Sequence, residues 1–179
     1  VSRVLLGDGP LSVDALLAEV RHPGAGAVAL FLGTVRDTND GRAVTRLEYE
    51  AYGAMALAEM ERIVREIEQS IPGARCALAH RIGALEVGET AVVCAVSAPH
   101  RPEAFAACRR LIDEVKARVP IWKREHGPDG PYWVGWEDAR CAHPEPAPGA
   151  SVEPQTLEHQ LGSADEENHG VHATKRERP

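Results

Sequence analysis

Two strand patterns, RCALAHRIG at residues 75–83 and TAVVCAVSA at 90–98, follow each other with EVGE at 86–89 between them and no helical stretch. A parallel neighbour needs a crossover of roughly a dozen residues or more, usually a helix. Strands in direct succession have no such helix, so this chain is constrained to a mixed, largely antiparallel sheet. Other strand signals fit that frame. SRVLLG (2–7) reads as a short strand. GAVALFLGTVR (26–36) is apolar along its length and is expected to be a central strand. TNDG then supplies turn chemistry. VTRLEYEAY (44–52) sets Leu47, Tyr49 and Ala51 against Glu48 and Glu50, the period of a half-buried strand. PYWVGWE (131–137) reads as a short aromatic strand.

Helical periods interrupt the strands, which makes the class α+β with helices packed on the sheet. Ser12 is placed to cap a helix over 13–21, with Val13, Leu16, Leu17 and Val20 on one face and Pro23-Gly24 ending it. A second helix over about 54–70 carries Leu57, Met60, Ile63, Val64 and Ile67 and stops at Pro72-Gly73. The third runs from Pro102, whose fixed φ suits a first helical position, to about Val119, before Pro120. At about 100° per residue, Phe105, Cys108, Ile112, Val115 and Val119 form its apolar stripe. Lys116 then falls on the border beside Ile112, with Arg109 and Asp113 on the same flank.

After Cys141 the composition changes. Residues 142–179 lack apolar periodicity and hold seven acids against three bases, −4 of the net −7. Such a segment cannot bury enough apolar area to offset its ordering entropy, so it is expected to be a disordered tail on a folded domain spanning 1–141. An acidic chain is a poor general binder of nucleic acid or of a membrane surface. No apolar run approaches the ~18 residues of a membrane span, and the first residues lack the h-region of a signal peptide. The setting expected is cytoplasmic. Cys76, Cys94, Cys108 and Cys141 form no C-x-x-C pair and read as free thiols. The histidines show no metal-binding spacing, so no metal is expected.

Chemical signals concentrate in SAPHRPEAFAACRRLIDEVKARVPIWKRE (97–125). His100 and Arg101 lie at a strand-to-helix junction, where free N–H groups and the helix dipole favour an anion. A surface loop facing water is the plain alternative. Lys116 is open to two readings. Its stem could cover apolar surface while the amine reaches water, or the amine could be partly desolvated and act as base or nucleophile. Lysine usage bears on the choice. The chain contains three lysines and seventeen arginines, and two of the lysines, Lys116 and Lys123, stand seven residues apart. Arginine serves most solvated positions but cannot supply a free amine. Lys123 follows Pro120 and a turn. Arg36 closes a long apolar strand. Together Arg36, His100, Arg101, Lys116 and Lys123 suit a phosphorylated or carboxylate-bearing small substrate. No P-loop, dinucleotide fingerprint or G-x-S-x-G is present.

Taken in order, FLGTVRDTNDG, LEYEAYGAMA, HRIGALEVGE, the 97–125 segment and DGPYWV resemble the large, catalytic subunit of molybdopterin synthase, across roughly residues 26–134. The resemblance implies an α/β hammerhead-type fold and a step of molybdenum-cofactor biosynthesis. Cyclic pyranopterin monophosphate would receive two sulfurs as a dithiolene. The donor would be a thiocarboxylate on the C-terminal glycine of a small ubiquitin-like sulfur-carrier subunit. It implies a homodimer of large subunits within a heterotetramer, and neither metal nor organic cofactor. Carried over by position, Lys116 matches the essential active-site lysine and Lys123 the second one, with Arg124 and Glu125 beside it. Thr34, Val35 and Arg36 match a substrate-contacting strand end, and His100 and Arg101 an anion-contacting pair. Two other functions remain open on the residues: a non-catalytic subunit that only docks the carrier tail or a phosphorylated pterin, and a different sulfur-carrier enzyme.

Overall fold

The computed structural model describes residues 3–134. Chain order is β1 (Val4–Gly7), α1 (Val13–Val20), β2 (Ala27–Thr34), β3 (Thr38–Asn39), β4 (Arg42–Ala43), β5 (Arg46–Ala51) and α2 (Gly53–Ser70). It continues through β6 (Arg75–Arg81), β7 (Gly83–Glu86), β8 (Thr90–Ala98), α3 (Arg101–Arg118), β9 (Ile121–Gly127) and β10 (Gly130–Val134). The Ser12 hydroxyl accepts the Ala15 N–H at 3.3 Å and caps α1 as its position predicts. The 142–179 tail and Cys141 lie outside the described residues, as does the end of the strand expected over 131–137.

β6 and β8 pair antiparallel and form the centre of a sheet ordered β1-β6-β8-β2, in which only β1 and β6 are parallel. Both faces of this pair are covered. Cys76, Leu78, Cys94 and Val96 pack with α2 and α3, while Ala77, Ala79, Val93 and Ala95 pack with Leu16 and Val20 of α1. The period of two along each strand sorts the residues between these layers. The three described cysteines are buried free thiols, and burial pushes Cys76 up to about 12. A second sheet, ordered β10-β9-β5-β7, is antiparallel throughout, and β3 and β4 form a separate hairpin.

Two expectations are corrected. β2 is an edge strand, not a central one: it pairs with β8 alone. Ala29 and Phe31 pack toward α3, whereas Val28, Leu30 and Leu32 on the other face are 41–43% exposed. An apolar run at an edge looks identical in sequence to one buried on both sides. The stripe of α3 is also rotated. Ala104, Ala107, Cys108, Leu111, Ile112 and Val115 are its buried residues, and Phe105 is 67% exposed. Small alanines let the helix approach the sheet and turn Phe105 outward.

α3 is tied to α2 by one guanidinium. Arg118 donates to Glu59 at 2.7 Å, to Glu66 at 2.6 Å and to Glu114 at 3.0 Å. Hydrogen bonds from Arg118, and then from Arg62, hold the Glu66 carboxyl at about 2 against its ordinary 4.5. A depressed carboxyl favours the folded chain above its unfolded value, and that contribution is lost as pH falls from about 4.5 toward 2. Thermal midpoints measured across that acid window should therefore fall with pH, and less steeply in Arg118→Met. High salt should flatten the native slope, because these groups are partly exposed.

Candidate functional site

β9 is polar on both faces, and its alternation decides where the predicted site residues go. Lys123 lies opposite Tyr49 of β5 and Glu125 opposite Leu47, on the inner side of the sheet. Arg124 and His126 take the outer side. There Arg124 donates to Glu48 at 2.7 Å, lies 3.4 Å from Glu50, and stacks 5.1 Å over the Trp133 ring. His126 shares Glu48 at 3.3 Å. The structure thus separates Arg124 from Lys123 and Glu125. Reading a turn after Pro120, rather than a strand, hid this consequence.

Glu125 is 2% exposed and organises the inner side. Its Oε1 lies 2.9 Å from Lys123 Nζ, and its Oε2 accepts the Tyr132 hydroxyl at 2.7 Å. The Asn39 side chain lies close enough to favour the charged carboxylate, and Arg36 donates to Asn39 Oδ1 at 2.9 Å. Burial acts to raise the Glu125 carboxyl, but Lys123, Tyr132 and Asn39 together outweigh it and keep it below the ordinary range. Tyr49 is pushed up to about 12 by its burial and by the Glu125 charge. It meets His80 edge-on, ring centroids 4.9 Å apart, and burial lowers the His80 imidazole. Asn39 thus lies between Arg36 and the Glu125–Lys123 pair, a placement missed when it was read only as part of a turn. Tyr132 was equally unmarked within its aromatic strand.

Lys116 is exposed near the end of α3, with no ion pair or hydrogen bond among the described residues. It lines an open cleft of about 370 Å³ with Leu30, Phe31, Cys108 and Ile112. Arg109 and Asp113, 3.5 Å apart, flank it. α3 follows β8 directly and packs on β8 and β2, so it runs back against β8 and in the sense of β2. Its C-terminal turn therefore lies toward the Thr34 end of the sheet. The β2–β8 register shifts between Gly33 and Thr34, and a Cβ on Gly33 would stand 2.5 Å from Val92 Cγ1. Thr34 is exposed and Val35 buried just beyond.

His100 and Arg101 are exposed at the other end of α3. His100 adopts extended N-cap geometry without a capping side-chain bond. Helix rise separates Arg101 from Lys116 by about 22 Å. One chain does not bring this pair to the lysines. Among the described residues no three His, Cys, Asp or Glu side chains converge as metal ligands.

This scaffold, with amines and guanidinium groups at one end of a mixed sheet, is that of solved enzymes of molybdopterin biosynthesis. Molybdopterin synthase from Staphylococcus aureus superposes with a TM-score of 0.72 at 36% identity, covering 74% of this chain and 97% of that one. The molybdopterin cofactor biosynthesis protein E from Burkholderia multivorans gives 0.64 at 38% identity, covering 75% and 90%. A complex of subunits 1 and 2 of molybdopterin-converting factor from Helicobacter pylori shares the fold, with a TM-score of 0.60 at 21% identity over 74% of this chain and 90% of that one. The MoaE protein family matches residues 6–118, and the chain belongs to it. Molybdopterin synthase catalytic subunit 1 of Mycobacterium tuberculosis is 49% identical over 130 residues, 73% of this chain and 88% of its own length. The catalytic subunit of Halalkalibacterium halodurans is 43% identical over 146 residues, 82% and 94% of the two lengths.

Tyr132→Phe tests how the Glu125 carboxylate is held. Loss of one hydrogen bond to a buried charge should lower unfolding free energy by roughly 1.5–3 kcal/mol in denaturant titrations. The fold, followed by circular dichroism, should remain.

Proposed function

We propose that the chain transfers sulfur from the C-terminal glycine thiocarboxylate of a small ubiquitin-like subunit to cyclic pyranopterin monophosphate, building the dithiolene of molybdopterin. The observation that carries this reading is the contrast between two lysines on either side of the Val119–Pro120 corner. Lys123 is held by a buried carboxylate, whereas Lys116 faces a cleft with its amine uncommitted. Both reactants are anionic, one through its thiocarboxylate and the other through its cyclic phosphate. Cationic groups at Arg36, Lys116 and Lys123 offset that charge, and most strongly where water is excluded. Thr34 and Val35 set the strand end that carries Arg36, and Glu125 holds the Lys123 amine. Lys116 stabilises the anion that develops as the acyl–sulfur bond breaks, or moves the proton that accompanies it. Arg124, turned to Glu48, supports the strand from its outer face.

The partners proposed are the small sulfur-carrier subunit and a second copy of this chain, forming a heterotetramer. A second subunit in the Helicobacter pylori complex supports the first. The apolar, half-exposed edge of β2 supports the second, since an unpaired edge carrying Val28, Leu30 and Leu32 favours pairing with another chain. The length of α3 points the same way. If His100 and Arg101 bind the substrate that Lys116 acts on, they come from another copy. A cytoplasmic setting suits the buried free thiols, and no described helix is long and apolar enough to cross a membrane.

With precursor and thiocarboxylated small subunit, Lys116→Ala should lower dithiolene formation by about a hundredfold or more while the small subunit still binds. Near-normal product, detected by mass, would overturn the assignment. Lys116→Arg separates charge from proton transfer, since it keeps only the first. Mixing Lys116→Ala chains with Arg101→Ala chains should restore part of the activity that each lacks alone. No recovery in mixed dimers would place His100 and Arg101 outside the site.

A further inference from the structure

The segment Thr34-Val35-Arg36 is held by more than the β-ladder. Beyond the register shift at Gly33, both backbone groups of Val35 are taken by the turn between β7 and β8. The Val35 N–H donates to the Glu89 carbonyl at 2.9 Å, and the Val35 carbonyl accepts the Gly88 N–H at 2.8 Å. Gly88 has φ +87°, a conformation that side chains rarely adopt, so the turn has a defined shape. The turn closes on its own backbone, the Glu89 N–H donating to the Glu86 carbonyl at 3.1 Å, and the Glu89 side chain reinforces it. Glu89 Oε2 accepts the Glu86 N–H at 2.7 Å, and Oε1 accepts Arg81 Nη1 at 3.0 Å.

Arg81 ends β6, where it lies opposite Gly7 of β1. It is 8% exposed, and its Nε is buried without a hydrogen-bond partner in the described structure. A buried guanidinium that is only partly satisfied is costly, and an ordinary surface turn does not require one. What the turn grips gives that cost a reason. Val35 packs with Leu47, Leu85 and Ala91, so its side chain and both backbone groups are fixed. The next residue is Arg36, whose side chain donates to Asn39 Oδ1 at 2.9 Å beside the Glu125–Lys123 pair. A displacement of Val35 would carry Arg36 out of that position.

We propose that Arg81 and Glu89 are positioning residues for sulfur transfer: their ion pair reinforces the Glu86–Glu89 turn, which by gripping Val35 aims Arg36 at the substrate. This rests on the reading in which Arg36 contacts the pterin precursor. The two residues touch no substrate themselves and act only through the strand end.

Kinetics with cyclic pyranopterin monophosphate varied at saturating thiocarboxylated small subunit, together with amide exchange at Val35, test the idea. Glu89→Gln should raise KM for the precursor roughly fivefold with a smaller effect on kcat, and Val35 should exchange faster. Arg81→Lys should recover part of what Arg81→Met loses. Added to Arg36→Ala, Glu89→Gln should raise KM no further, because both act through one side chain. Multiplying effects would overturn the inference, as would a normal KM in Glu89→Gln when Arg36→Ala raises it. A normal KM in Arg36→Ala itself would remove Arg36 from the substrate and the inference with it. In that outcome faster Val35 exchange would mark the clamp as purely structural.

Discussion

A carboxylate sealed from solvent stays ionised only if the chain gathers cations and donors around it, and in this protein that carboxylate is Glu125. An unpaired buried charge costs several kcal/mol, so its partners are obligatory rather than decorative. They come from two strands, Lys123 from β9 itself and Tyr132 from β10, and Asn39 of β3 adds its dipole nearby. The β3–β4 hairpin is tied to its surroundings by Arg42, which stacks 5.2 Å over the Tyr132 ring, and by the Thr45 N–H, which donates to the His126 carbonyl at 2.8 Å. Between Arg36 and Arg46, Val44 is the single buried residue, so polar contacts carry much of the hairpin's placement. One desolvated negative charge therefore orients the Lys123 amine and fixes the Tyr132 ring, against which the hairpin's Arg42 stacks.

α3 imposes the second constraint. It is a rigid rod of eighteen residues that returns along the sheet, fixed to α2 by the Arg118 fork and to β8 and β2 by its small buried face. Its two ends carry His100 with Arg101 and Lys116, and they face opposite limits of the sheet. No side-chain rearrangement within one copy closes a gap of about 22 Å. The apolar edge of β2 runs beside this helix, so the surface best suited to a second copy is adjacent to the residues that a second copy would complete.

Much of this architecture was legible in the residues. The absence of a helix between β6 and β8 set the antiparallel core, Ser12 capped α1, and Pro102 opened α3, because each follows from local chemistry that tertiary contacts do not override. The errors share a cause. An apolar run such as Ala27–Thr34 does not say which of its faces has a partner within the chain, so an edge strand passes for a central one. β9 shows no apolar alternation because its inner face holds Lys123 and Glu125, so the period that identifies strands was absent. Once the strand was missed, the opposite orientation of Arg124 was missed with it. Asn39, Tyr132, Arg81 and Glu89 act through partners six or more residues away or in other strands, and nothing in their immediate neighbours marks them.

The distribution of basic residues follows from geometry. Arg118 and Arg124 stand where a planar fork meets more than one carboxylate, and Arg118 engages three of them. At such positions a lysine would satisfy fewer acceptors. Lys123 is different: a single amine meets a single carboxylate oxygen in a confined, half-buried space, where a guanidinium would be too broad and would leave N–H groups unpaired. Lys116 is different again, for it meets no partner among the described residues. Two residues before the most heavily committed arginine in the chain, the sequence places a side chain committed to nothing. A compact amine on a rigid helix end, beside a cleft and able to give or take a proton, is free to meet a ligand in a way no arginine nearby could be.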